Sequence, residues 1–283
     1  MITIVIGMEN TGSIFEESEK TFIELSNSQR LQIINALENT SMNLTLLAKH
    51  LGITMQEAHR NFNRLMDAGI VSRDSNGSYS LTTFGNTIMT QIPSINFLSK
   101  NRNYFSDHFF ANLPMKFVQR IGSLDNSNFI RGLVAVIEEI KELYRNSHEY
   151  IYGMIPQVPL DLMEVAAKTV MERKIKFNYI LPKNAAIPKK GKDFLNEINY
   201  QELLKKGLVE RKMIDEVKVS IVLNEKKALV MFPSVKGETD MNGAFSNSID
   251  RENNKLFHEW CLDYFRYSWL DAKPFDNSKL REV

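Results

Sequence analysis

The sequence predicts an α+β and α/β chain: a small N-terminal domain of three helices and a hairpin, then a mixed-sheet α/β sandwich domain. Three observations lead there. Between Leu25 and Gly69, apolar residues recur at helical spacing in three successive segments. Asn76-Gly77 then separates two short strand-like runs, a strong hairpin signal. Beyond residue 126, strand-like apolar runs alternate with helical ones, the grammar of a mixed α/β domain with a partly parallel sheet.

Taken in order, MITIVIGMEN is apolar but short, without a basic n-region or a small-residue cleavage site, so it is a poor signal peptide. Residues 2–7 read as an edge strand, or as a leader if translation starts at Met8 rather than Met1. Residues 9–19 (ENTGSIFEESE) are acidic and polar, and 1–19 read as a loose lead-in. A first helix follows, carrying Leu31, Ile33, Ile34 and Leu37. Asn43 can cap a second, LTLLAKHL, which Gly52 ends. Thr54 with Glu57 forms a T-x-x-E capping box for a third, which stops near Gly69. The hairpin VSRDSNGSYSLTTFG completes a domain over 20–85. Residues 86–126 read as a helical connector interrupted by Pro93 and Pro114, ending in the polar break GSLDNSNF at 122–129.

The second domain, 127–283, opens with a predicted helix over 129–145. The strand YIYGMI, a helix over 160–173, the strand KIKFNYIL and the helix DFLNEINYQELLKKG come next. LVERKMI, VKVSIVL and KALVMFPS are three more strands, the last two joined across NEKK. An aromatic-rich helix, NNKLFHEWCLDYFRYSW, ends the pattern.

Composition narrows the function classes. The net charge of +1 gives no global field toward nucleic acid or membrane, so any nucleic-acid site must be a local patch. Residues 20–100 hold seven Lys/Arg and five Asp/Glu, a net of +2. Cys261 is the sole cysteine, which excludes an internal disulfide and a Cys-rich zinc site and suits a reducing, cytoplasmic compartment. The five histidines (50, 59, 108, 148, 258) show no metal-ligand spacing, so neither a metal nor a cofactor is expected. No run reaches the roughly 18 apolar residues of a spanning helix.

On a helical wheel Ala58, Phe62 and Leu65 share the core face of the third helix, while Gln56, Arg60, Asn63 and Asp67 project opposite, flanked by His59 and Arg64. Gln, Arg and Asn can make paired hydrogen bonds to base edges in a major groove, and Arg and His can reach phosphates. Any surface helix shows a polar face, but Ala48 and Gly52 before it supply the close packing and tight turn of a helix-turn-helix. The hairpin after it fits a wing. The pattern Ala48-x3-Gly52, Ala58-x3-Phe62-x2-Leu65-x3-Gly69-Ile70-Val71, then Arg73-DSNGS-Tyr79 and Gly85, resembles winged helix-turn-helix regulators. Over about 25–275 the chain resembles archaeal ArsR-like transcriptional regulators with a C-terminal domain of the methanogenesis-regulator type. The ending from MFPSVKGETD onward is similar to the end of that domain: a strand, a Gly-Ala-Phe turn and a Trp- and Tyr-bearing helix. The resemblance implies a homodimer on double-stranded DNA, with Gln56, His59, Arg60, Asn63, Arg64, Arg73 and Asn76 as DNA-binding residues.

The second domain resembles, more distantly, phospholipase-D-like effector domains. Catalysis of that kind needs H-x-K-x4-D, which is absent, as are a G-x-S-x-G elbow, a P-loop and a G-x-G-x-x-G, so a non-enzymatic role is expected. His258 and Cys261 at i and i+3 are a poor nucleophile–base pair, and a buried structural thiol is the better reading. Trp260, Tyr264, Phe265, Tyr267 and Trp269 read first as a helix covering the sheet, and alternatively as the lining of a pocket or dimer interface. Lys183, Lys189, Lys190 and Lys192, with Pro182 and Pro188, read as a solvated basic loop, with an anionic effector site as the alternative. The function expected is a dimeric, effector-sensing transcriptional regulator, and the alternative is a winged-helix adaptor that contacts proteins without sequence-specific DNA binding.

Overall fold

The computed structural model describes residues 11–157, 159–187, 189–237, 240–249 and 255–282, so the segment 2–7 lies outside the described residues. Contacts divide the chain into two compact units, 1–92 and 93–283.

The first unit runs α1 (Thr11–Leu25), α2 (Ser28–Ala36), β1 (Met42–Asn43), α3 (Leu44–Leu51), α4 (Met55–Asp67), β2 (Val71–Arg73), β3 (Ser78–Leu81) and α5 (Thr83–Met89). The strands form one antiparallel sheet in the order β1-β3-β2, making a winged helix-turn-helix. Its core joins Ile33 and Ile34 of α2, Leu47 of α3, Phe62 and Leu65 of α4 and Tyr79 of the wing. Phe62 stacks on Tyr79 with ring centroids 3.8 Å apart, tying hairpin to helix. The loose lead-in is corrected in part, because its residues from Thr11 onward are helical. Glu24, 8% exposed, anchors that helix: Arg30 pairs with its carboxylate at 3.0 Å and donates from Nε to its backbone carbonyl at 2.9 Å. Charge composition alone could not foresee a partner that folding delivers.

The second unit opens with α6 (Ile92–Lys100), whose first residue closes the preceding unit, and α7 (Met115–Val118). Then come β4 (Asn128–Arg131), α8 (Leu133–Arg145), β5 (Tyr150–Met154), α9 (Leu160–Arg173), β6 (Lys176–Pro182), β7 (Ala186–Ile187), α10 (Lys189–Glu197) and α11 (Tyr200–Lys205). The chain closes with β8 (Val209–Ile214), β9 (Ser220–Asn224), β10 (Lys227–Met231), β11 (Gly243–Ser248), α12 (Lys255–Asp271), β12 (Lys273–Pro274) and β13 (Arg281–Glu282). Eight strands pair in the order β12-β8-β6-β5-β9-β10-β11-β4. β5, β6 and β8 are parallel, and the other pairings of this sheet are antiparallel. Alternation sends Ile221, Leu223 and Val230 to one face, beneath α6, α7 and α12, and Val222, Leu229 and Met231 to the other, beneath α8, α9 and α11. With both faces covered, the central strands read as continuous apolar runs.

Several boundaries differ from expectation. The 86–126 connector is no spacer, since Phe97, Leu113, Phe117, Ile121 and Leu124 belong to the core of the second unit. The predicted helix over 129–145 begins as β4 and turns at Gly132 before α8. The helix predicted over 193–207 breaks at Asn199, whose φ of 50° is left-handed. The Gly-Ala-Phe turn is instead strand β11, paired with β10 and β4.

Candidate nucleic-acid interface

Local sequence builds the helix-turn-helix. The Asn43 side chain accepts from the Leu46 N–H at 2.8 Å and starts α3. Gly52 takes a φ of 64°, which lets the Ile53 N–H reach the Ala48 carbonyl at 3.1 Å and turns the chain. Two residues later Thr54 opens α4 through a complete capping box, its N–H donating to Glu57 at 2.9 Å and the Glu57 N–H to its hydroxyl at 3.2 Å. The Thr54 N–H first, and then the Thr54 hydroxyl donating to Glu57 Oε2 at 2.7 Å, hold the Glu57 carboxyl below its usual range. At the other end the Ile70 N–H reaches the Leu65 carbonyl at 2.9 Å and the Gly69 N–H the Met66 carbonyl at 2.8 Å, a Schellman closure.

α4 is thus capped at both ends, and Ala58, Phe62 and Leu65 are fully buried. Gln56, His59, Arg60, Asn63, Arg64 and Asp67 are all exposed. Asn63 Nδ2 lies 3.4 Å from His59 Nδ1, so these two side chains brace each other one turn apart. Arg60 has no ion pair among the described residues and projects from the middle of this row. The wing supplies Arg73 and Asn76, both exposed. Arg73 lies over the Tyr79 ring, 5.5 Å from its centroid. Asn76 lies in the hairpin loop, which is organised by Asp74: the Asp74 carboxylate accepts from the Asn76 N–H at 2.9 Å and the Ser78 N–H at 2.8 Å.

One of the seven expected contacts is otherwise engaged. Arg64 donates from Nε to Glu24 Oε2 at 2.9 Å, and this bond is the main cause that lowers the Glu24 carboxyl. Its charge is spent joining α4 to α1, across forty positions of sequence that no local pattern reads. Sequence reading also missed Asn61, buried at 2% exposure, whose Nδ2 donates to Gln29 Oε1 at 3.0 Å and fixes α4 on α2. Lys49 and His50 are exposed in the last turn of α3, beside the turn into α4.

In the second unit, Cys261 is fully buried and burial pushes its thiol well up. His258 Nε2 lies 2.6 Å from the Asn224 carbonyl, and burial lowers the imidazole. Trp260 and Phe265 cover the sheet, with Trp260 Nε1 donating to the Phe117 carbonyl at 3.0 Å. Lys183 pairs with Asp215, while Lys189 and Lys190 begin helix α10 rather than a loop. Pro188 and the Lys192 side chain lie outside what the structure describes. Among the described residues no group of three or more His, Cys, Asp or Glu side chains could hold a metal, and no helix is long and apolar enough to cross a membrane.

No family model and no curated protein matches the chain. Among solved structures, it is similar to the archaeal chromatin protein TrmBL2 at 13% identity, over 88% of this chain and 94% of that one, with a TM-score of 0.40. A homodimeric winged helix-turn-helix domain of a possible ArsR-family regulator from Mycobacterium bovis matches at 16% identity over 36% of this chain and 92% of its own, TM-score 0.30. The phospholipase D family member Nuc from Salmonella typhimurium matches at 8% identity over 54% and 99%, TM-score 0.39. At these TM-scores the likenesses establish neither family nor function.

Proposed function

We propose that the first unit binds double-stranded DNA and that the chain is a cytoplasmic, dimeric transcriptional regulator whose second unit senses an effector. The observation that carries this reading is the outward row of α4: Gln56, His59, Arg60 and Asn63 are exposed on a helix capped at both ends. Such a helix enters a major groove with its polar side chains toward base edges, while a hairpin lies along the backbone. Lys49, Arg60 and Arg73, none held by a carboxylate among the described residues, are the cations for phosphates. Few cations mean modest non-specific affinity, with sequence preference resting on Gln56, Arg60 and Asn63. For dimerisation, α1 offers the exposed Phe15, Phe22 and Ile23, an apolar row without a partner among the described residues.

Selection of bound sequences from random DNA tests the reading, and a palindromic motif is expected. On the selected site, Arg60→Ala weakens binding by about tenfold or more in a band-shift titration. Equal affinity of wild type and variant overturns the assignment of α4. The adaptor reading draws on the exposed apolar Leu46 and Met55 at the starts of α3 and α4. It predicts no enrichment of any DNA sequence.

A further inference from the structure

On the face of the large sheet beneath α9, α10 and α11 lies a cavity of about 350 Å³. That is within the size range of small-molecule sites. Its walls are mainly apolar, and two features of the sequence keep it open. Gly153 sits in the middle of strand β5, where a Cβ would meet nothing closer than 3.8 Å. A glycine inside an otherwise apolar strand forfeits packing and marks a place where something else approaches the backbone. Ala166 and Ala167 of α9 face the same space with small side chains.

Three polar side chains that line the cavity meet at one spot. Tyr179 of β6 and Tyr200 of α11 meet hydroxyl to hydroxyl at 2.7 Å. Burial raises both phenols, so they stay neutral donors. Arg211 of β8 lines the cavity beside them, with its guanidinium over the Phe275 ring at 4.0 Å and near the Tyr200 ring at 5.7 Å. Among the described residues no carboxylate lies within ion-pair distance of Arg211. A half-buried guanidinium, stacked on the Phe275 ring, hydrogen-bonded to the Tyr179 hydroxyl and without a carboxylate partner among the described residues, has the planar donor set that matches an anion offering two oxygens.

We infer that this cavity is a binding site for a small amphipathic carboxylate, its apolar body between Gly153 and α9 and its head on Arg211 and the Tyr179–Tyr200 pair. The inference deepens the effector reading above and rests on it only in taking the ligand for an effector; occupation of the cavity stands on its own geometry. The anion is held by a side chain of a strand, and Lys183, Lys189 and Lys190 do not line the cavity.

Isothermal titration of the full chain with decanoate, with decan-1-ol as the uncharged control, tests it. Decanoate is expected to bind one to one. Arg211→Met weakens decanoate by about tenfold or more and leaves decan-1-ol within about twofold, since only the charged hydrogen bonds are removed. Gly153→Val, checked for folding by circular dichroism, fills the floor of the cavity and abolishes binding of both. Absence of saturable decanoate binding to the wild-type chain, or equal binding by wild type and Arg211→Met, overturns the site. Calorimetry decides the cavity and the DNA selection decides the regulator, so failure of one is distinguishable from failure of the other.

Discussion

Glu24 shows how one side chain organises a unit. It stands 8% exposed between Arg30 and Arg64, and without its charge the buried side chain of Arg30 loses its counter-ion. Glu24→Gln is expected to destabilise the first unit by about 1.5–3 kcal/mol, read from urea denaturation. The hydrogen bond from Arg64 holds the folded carboxyl below its ordinary value of 4.5. The stability it contributes is therefore fully present above pH 4.5 and is lost as pH falls from there through the folded value. Acid titration of the wild type should show that loss, and Glu24→Gln should lack it. Phe62 is the apolar counterpart: fully buried and stacked on Tyr79. Phe62→Ala should cost about 3–5 kcal/mol and loosen the wing, seen as faster amide exchange across β2 and β3. Ala58, Phe62 and Leu65 were legible as the core face because helical period alone dictates it. The engagement of Arg64 was not, because its partner lies on another helix.

For elements, chemistry within a few residues decided most boundaries. Asn43, Gly52, Thr54, Glu57 and Gly69 each satisfy or redirect backbone groups within one turn, and α3 and α4 begin and end where those residues stand. Removing the cap by Thr54→Ala should destabilise the first unit by about 1 kcal/mol and weaken DNA binding less than Arg60→Ala does, measured on the same selected site. Equal loss in the two variants would assign the effect of Arg60 to helix stability rather than to contact. The hairpin was legible from Asn76-Gly77, but its turn is held by the Asp74 carboxylate. Helix α9 was predicted at 160–173, where it stands. Segments read wrongly are settled by partners far along the chain. Residues 128–131 pair with β11 through long-range hydrogen bonds, and the segment 189–205 bends at Asn199 so that Tyr200 can meet Tyr179.

At the scale of the molecule, the first unit and the second have separate hydrophobic cores. Both tryptophans, Trp260 and Trp269, lie in the second unit. Tryptophan emission therefore follows that unit alone, while far-ultraviolet circular dichroism follows both. The two probes are expected to give non-coincident urea transitions, and Glu24→Gln should move the dichroism curve without moving the emission curve. Coincident curves that shift together would show that the units unfold as one.

The sequence by itself determined the capped helix-turn-helix, the exposed row of α4 and the alternation of strands with helices beyond it, because caps, turns and periodicity act over a few residues. Only the tertiary structure decided that the segment after residue 93 joins the second core, that Arg64 belongs to Glu24, and that Gly153, Tyr179, Tyr200 and Arg211 surround one cavity. Those relations bring together side chains tens of positions apart, and their energies arise from burial and charge pairing that exist only once the chain has folded.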